Sequence, residues 1–362
     1  MPETQRAQTP PPNEIKRASL WGRAWKRYGI DALSAMALGL FSSLIIGLIL
    51  QQIGRIPGLS MIADFAKTAQ SAPVVGAAIG VAVAWSMKVP PLAMFSNAAV
   101  GAVGYALGQP LGCFISSVVG AELGRLVAGR TKVDIIVVPS VTILAGGLTA
   151  MATAPAVLSV INALRGFIDT AMLLQPIPMG IILSVVVGLV LTAPISSAAL
   201  CAMVFAVAEG ESLTIGLQLA AGAATVGCCA QMIGFAVSSY RDNGVSGLIA
   251  QGLGTSMLQV PNILRRPAIL IPPTLAAAIL GPLAATIFDM RNAGAAAGMG
   301  TSGLVGQIGT WSAMIGESAP WPLLLKIIAL HFILPAALSL AFSEGLRKIG
   351  WIRPGDQKLT VR

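Results

Sequence analysis

Residues 179–200 read MGIILSVVVGLVLTAPISSAAL and carry no charged side chain from Met179 to Leu200. A helix crosses the hydrocarbon of a bilayer with about 20 such residues, so this stretch is long and apolar enough to span. It is interrupted near its end, where Thr192-Ala193-Pro194-Ile195-Ser196-Ser197 sets a helix-breaking proline beside hydroxyl groups. Proline removes a backbone donor and frees a carbonyl, which an apolar layer tolerates only where protein or a water-filled cavity satisfies it. Two readings stand: a kink with hydroxyls bonded back to their own helix, and a broken helix facing a solute at Thr192, Ser196 and Ser197.

The same texture runs through the chain. Apolar runs occur at 30–50, 72–87, 91–107, 110–127, 133–152, 155–174, 179–200, 213–238, 245–258, 269–288, 293–315 and 323–342. The runs near Pro155 and Val245 are too short or too interrupted to cross. The expected fold is therefore an all-α polytopic bundle with about ten spans and re-entrant or broken helices. Of 362 residues, 55% are hydrophobic and only 10% charged, with 40 glycines and a mean hydropathy of +0.81. A soluble domain is about one quarter charged, so a soluble enzyme is excluded. Aromatic residues make up 5%, which leaves close backbone approach through Gly and Ala as the way the helices pack.

The net charge of +9 sits in the ends and a few loops, not along a basic stripe, so no nucleic-acid partner is expected. Residues 1–29 form a basic N-terminal tail with Arg6, Lys16, Arg17, Arg23, Lys26 and Arg27, and Trp21 and Trp25 suit a membrane surface. Residues 30–343 form the membrane domain, and 344–362 a second basic tail. Positive residues near spans favour the cytoplasmic side, so both tails are expected there. The four cysteines lie in apolar stretches without CxxC spacing and read as small buried hydrophobes, with no metal or cofactor expected.

One internal similarity stands out. Gly252-Leu253-Gly254-Thr255-Ser256 recurs as Gly298-Met299-Gly300-Thr301-Ser302, each followed by a glutamine, Gln259 or Gln307. Arg241, Asn243 and Gly244 precede the first copy, and Arg291, Asn292 and Gly294 the second. Paired glycines loosen a helix, and Thr and Ser supply donors and acceptors for sugar-like hydroxyls. Broken helices near the midplane are where many transporters hold cargo. The plain alternative is a small-residue packing face. A re-entrant segment between Val245 and Pro261 reconciles the later loops with the charge rule.

Catalysis lacks support. No GxxxxGK[ST] nucleotide cradle is present, and the lone His331 reads as structural or pore-lining. Arg165 and Asp169 lie four apart, on one helical face where they can neutralise each other. Glu317 closes a run and reads as a solvated carboxylate or a hydrogen-bond partner for cargo. Gln259 and Asn262 bound the first glycine motif, with a place in the cavity as the minority reading.

The stretch Gly254 to Asn262, then Ile271-Pro272-Pro273-Thr274, Gly281-Pro282 and Gly298 to Gly306, with Thr192 to Ala198, resembles the enzyme IIC family of the phosphotransferase system, and more narrowly its perfringolysin-regulator-like branch. The resemblance spans residues 30–342. It implies a homodimeric sugar permease in the inner membrane of a bacterium, surrounded by lipid, with IIA and IIB parts relaying phosphate. The ends are too short for those parts, so separate IIA and IIB proteins are expected. Together these readings point to a carrier of a small polar, sugar-like solute, with Thr192, Ser196, Ser197, Thr255, Ser256, Gln259, Asn262, Thr301, Ser302, Gln307 and Glu317 as its contacts. The alternative is a membrane sensor that binds a solute without moving it.

Overall fold

A computed structural model describes residues 22, 24–193, 195–206 and 212–359. Every regular element among them is helical. In chain order they are α1 (Trp25–Ile53), α2 (Ser60–Gln70), α3 (Ala72–Ser86), α4 (Pro91–Val127), α5 (Asp134–Leu174), α6 (Pro176–Thr192) and α7 (Ser197–Phe205). There follow α8 (Ile215–Ser238), α9 (Tyr240–Ile249), α10 (Val260–Arg265), α11 (Pro267–Thr286), α12 (Val305–Met314) and α13 (Pro320–Lys348). Pro194, the Trp21 stretch and Glu209/Glu211 lie outside the described residues.

Local chemistry sets the ends. Prolines open α4, α6 and α13, where the missing N–H would have had no partner. At the start of α5 the Asp134 carboxylate, favourably placed in the first turn, folds the preceding loop onto the helix by accepting from Gly129 N and from the Thr131 amide and hydroxyl.

Six helices are long and apolar enough to cross a membrane, or seven if the pair α2 and α3, bent by 57°, counts as one span. The expectation of about ten spans, which already left out the runs near Pro155 and Val245, is not confirmed: runs 91–107 and 110–127 lie in one candidate span, and α6 is an apolar helix shorter than the six. The runs 133–152 and 155–174 form one continuous α5, with Pro155 inside it. Thr149 and Thr153 donate to the carbonyls one turn back, at Ala145 and Thr149. By contrast, runs 91–107 and 110–127 meet at a real break in α4, where Gly108 and Gln109 leave helical geometry and Gln109 has φ +54°. Pro110 disfavours helical backbone at the residue before it, and Gln109 takes the left-handed turn. Run 245–258 is short helix and π and 3-10 turns, and run 293–315 is 3-10 turns leading into α12.

The packing falls into two groups. In one, α3 lies against α4 and α4 against α5. Gly76, Gly80 and Gly101 bring α3 and α4 together so closely that a methyl on Gly80 would meet the Asn97 carbonyl oxygen at 2.2 Å. In the other, α6, α8, α11 and α13 surround one another. The most apolar window of α8 is 89% buried by protein, so this helix is the axis of its group and not a lipid-facing span. Its centre is small: Ala220, Ala221, Gly222, Ala223, Ala224, Gly227, Cys228, Cys229 and Ala230. Small residues let the neighbouring backbones approach, which is how helices bind one another where apolar burial gives no drive.

Candidate functional site

Polar side chains in this bundle radiate from α8. On one side Gln231 donates to Thr274 Oγ1 on α11 (3.0 Å) and accepts from Thr192 Oγ1 at the end of α6 (3.3 Å). The Thr192 hydroxyl also meets Ser256 Oγ at 2.9 Å, and both side chains are buried. On a second side, Asn292 donates to Thr225 Oγ1 (2.8 Å), the Gly306 carbonyl (3.1 Å) and Thr310 Oγ1 (3.3 Å). On a third, the Gln307 amide nitrogen donates to Cys229 Sγ (3.4 Å) and to His331 Nδ1 (3.1 Å).

The two glycine motifs meet. Thr301 Oγ1, fully buried, donates to the Gly252 carbonyl. Gly252 lies in a π-helical turn, 250–254, where α9 ends, and Thr301 lies between two 3-10 turns. Ser197 Oγ donates to the Gly298 carbonyl at 2.6 Å, which ties the start of α7 to the second motif. The approach is backbone to backbone: a methyl on Gly300 would stand 2.8 Å from the Cys228 carbonyl carbon, and one on Gly298 2.4 Å from the Ser197 carbonyl oxygen. The echo also extends upstream. Gly244 and Gly294 both take positive φ, +60° and +55°, while Arg241 pairs with Glu344 and Arg291 with Glu317.

Thr192, Ser197, Ser256, Thr301 and Gln307 are thus buried around α8. The others named from sequence stand elsewhere. Ser196 caps α7 through Ala199 N, Thr255 caps the turn through Met257 N, and Ser302 is half-buried on a 3-10 turn. The Glu317 carboxylate is 67% exposed and holds Arg291 at 2.6 Å. Gln259 donates to Gln251 Oε1 and the Gln357 carbonyl, and Asn262 to Gln259 Oε1 and the Lys358 carbonyl. These two are committed to the C-terminal segment, which the sequence presents as a tail. Arg165 and Asp169 do not simply pair. Arg165 donates to the carbonyls of Val204 and Ala206 and to Gln109 Oε1, and Asp169 accepts from Thr214.

Sequence reasoning missed Gln231, Thr225 and Thr310, noted Asn292 only as a residue preceding the second glycine motif, and undervalued His331. Glutamine in the middle of the apolar run 213–238 was the available signal for Gln231. His331, fully buried, accepts at Nδ1, so its Nε2 carries the proton. That Nε2 and Gln307 Oε1 have no hydrogen-bond partner. The buried donor and the buried acceptor are each costly to leave unmade, and each is open to a hydrogen bond with a solute hydroxyl. Among the described residues no group of three or more His, Cys, Asp or Glu side chains is placed to hold a metal ion.

A family model described as "Phosphotransferase system, EIIC" matches residues 30–359. Searches of curated proteins and of solved structures found no match.

Proposed function

The chain belongs to the phosphotransferase system EIIC family of membrane sugar-transport permeases, and on that premise we propose that it carries a sugar or sugar derivative through the junction of its two glycine breaks. The observation that supports this reading most is the bond from Thr301 to Gly252, which brings both breaks to the buried α8, beside the unpartnered Gln307 Oε1 and His331 Nε2. The Thr192 and Ser256 hydroxyls, bonded to each other, and the Thr301 hydroxyl, bonded to the Gly252 carbonyl, can exchange those bonds for a solute's when the junction opens. In this reading the working unit is a homodimer in the inner membrane with both termini cytoplasmic, and separate IIA and IIB proteins supply the phosphoryl group.

The test has two parts. Purified protein is screened by thermal shift against sugars, polyols, nucleosides and organic acids, because a ligand of the native state raises apparent stability. A sugar that raises the wild-type melting temperature should lose its effect in Thr301→Val and Gln307→Ala, and should enter proteoliposomes saturably with the wild type. Shifts that survive both substitutions would remove the junction from the site. Binding without flux would favour the sensor.

A further inference from the structure

Where α8 ends, the chain turns through Ser239 into α9, and residues 353–359 lie across that corner. Their backbone is read by side chains. Asp242 accepts from the amides of Gly355 (3.0 Å) and Gln357 (3.3 Å), and Asn243 Oδ1 from that of Leu359 (2.7 Å). Asn243 and Gln259 both donate to the Gln357 carbonyl, at 2.8 and 3.0 Å, and Asn262 donates to that of Lys358 at 3.0 Å. The Gln357 side chain is fully buried; it donates to Ser238 Oγ and accepts from Arg347. Ile352 is buried with Phe235 and Ile269. Side-chain amides and a carboxylate that satisfy successive backbone groups of another segment form a peptide-binding cleft, since buried backbone groups must find partners.

The cleft is also wired to the first glycine break. Asn262 donates to Gln259, Gln259 to Gln251, and Gln251 to Ser239, each at 2.8 Å. Gln251 sits in the π-helical turn next to Gly252, whose carbonyl receives Thr301. π-turns are strained insertions that cluster at moving or functional places. We propose that residues 353–359 are a built-in peptide ligand, a strap whose docking on Asp242, Asn243, Gln259 and Asn262 holds the 250–254 turn in the conformation that meets Thr301. Release of the strap leaves the Gln251–Gln259–Asn262 amides without their outer partners, and the turn becomes free to rearrange. The inference rests on the carrier reading for its purpose, regulation of that junction, and on the hydrogen bonds alone for the coupling.

Hydrogen–deuterium exchange of the full-length purified chain, with no solute added, tests the coupling directly. In the wild type, residues 353–359 exchange more slowly than the same sequence as a free peptide, by about tenfold or more. Two variants release the strap by different routes. Gln357→Ala removes the buried anchor, and Leu359→Pro removes one amide donor without touching a buried side chain. In each, exchange rises at 353–359 and also at 246–262, again by about tenfold, while α4 is unchanged. Free-peptide exchange at 353–359 in the wild type overturns the proposal, and so does a variant that frees the strap but leaves 246–262 at the wild-type rate. Because the readout involves no flux, a chain that carried nothing would give the same answer, and the two readings fail separately.

Discussion

At Gly227 a methyl group would stand 2.0 Å from the Ser184 carbonyl oxygen of α6, so alanine cannot enter without pushing two buried helices apart. Overpacking of that kind costs about 2 kcal/mol. Gly227→Ala should therefore lower the melting temperature of the purified protein, whereas Gly147→Ala, where an added Cβ meets nothing within 4 Å, should leave it unchanged or raise it, since alanine favours helix. Both glycines sit in apolar helical runs and look alike in sequence. What separates them is the neighbour on another element, which no local pattern records. His331 makes the same point for polar residues. It has no polar neighbour within its own run, because its partner Gln307 arrives from α12. The repeated spacing drew attention to Ser256, Thr301 and Gln307; Gln231 and His331 had no such pattern, because each is a single residue completed by a distant one.

At the scale of elements, the distinction between a kink and a break was legible only in part. Pro110 follows Gly108 and Gln109 and ends the helix, while Pro155 follows a run of good helix formers and is absorbed. Glycine near proline does not decide it, since Gly281-Pro282 stays inside α11; tertiary support does. Arg165 provides that support for α7. From α5 it donates to the Val204 and Ala206 carbonyls at 2.7 Å, where α7 has run out of its own amides, and it also holds Gln109 in the α4 break. Its spacing to Asp169 suggested a pair within one helix, and geometry gave it to three helices. Hydrogen bonds to a charged group contribute about 1.5–3 kcal/mol. Arg165→Ala should accelerate amide exchange across residues 199–205 while leaving α8 protected. Leu304, which opens α12 with φ +60°, carries a conformation that costs a side chain about 1–2 kcal/mol. It is 44% exposed, so Leu304→Gly relieves that strain but gives up the burial of more than half a leucine; the two offset, and the melting temperature should change little.

At the scale of the whole molecule, the length of α5 decides the path of the chain. Its 41 residues rise about 60 Å at 1.5 Å each, against a hydrocarbon layer of about 30 Å and about 45 Å with headgroups. A helix that long crosses once and emerges on both faces even when tilted. Had runs 133–152 and 155–174 been two crossings, Lys132 and Gln175 would lie on the same side of the membrane. One continuous helix puts them on opposite sides. Both residues are exposed, and Cys113, Cys201, Cys228 and Cys229 are all buried, so the native thiols form a quiet background for labelling. In oriented vesicles a membrane-impermeant maleimide applied from one face should modify either Lys132→Cys or Gln175→Cys, and from the other face the remaining one. Labelling of both from a single face would mean that α5 turns back at Pro155, returning the count towards about ten spans and placing every later element, including the junction at α8, in the opposite orientation.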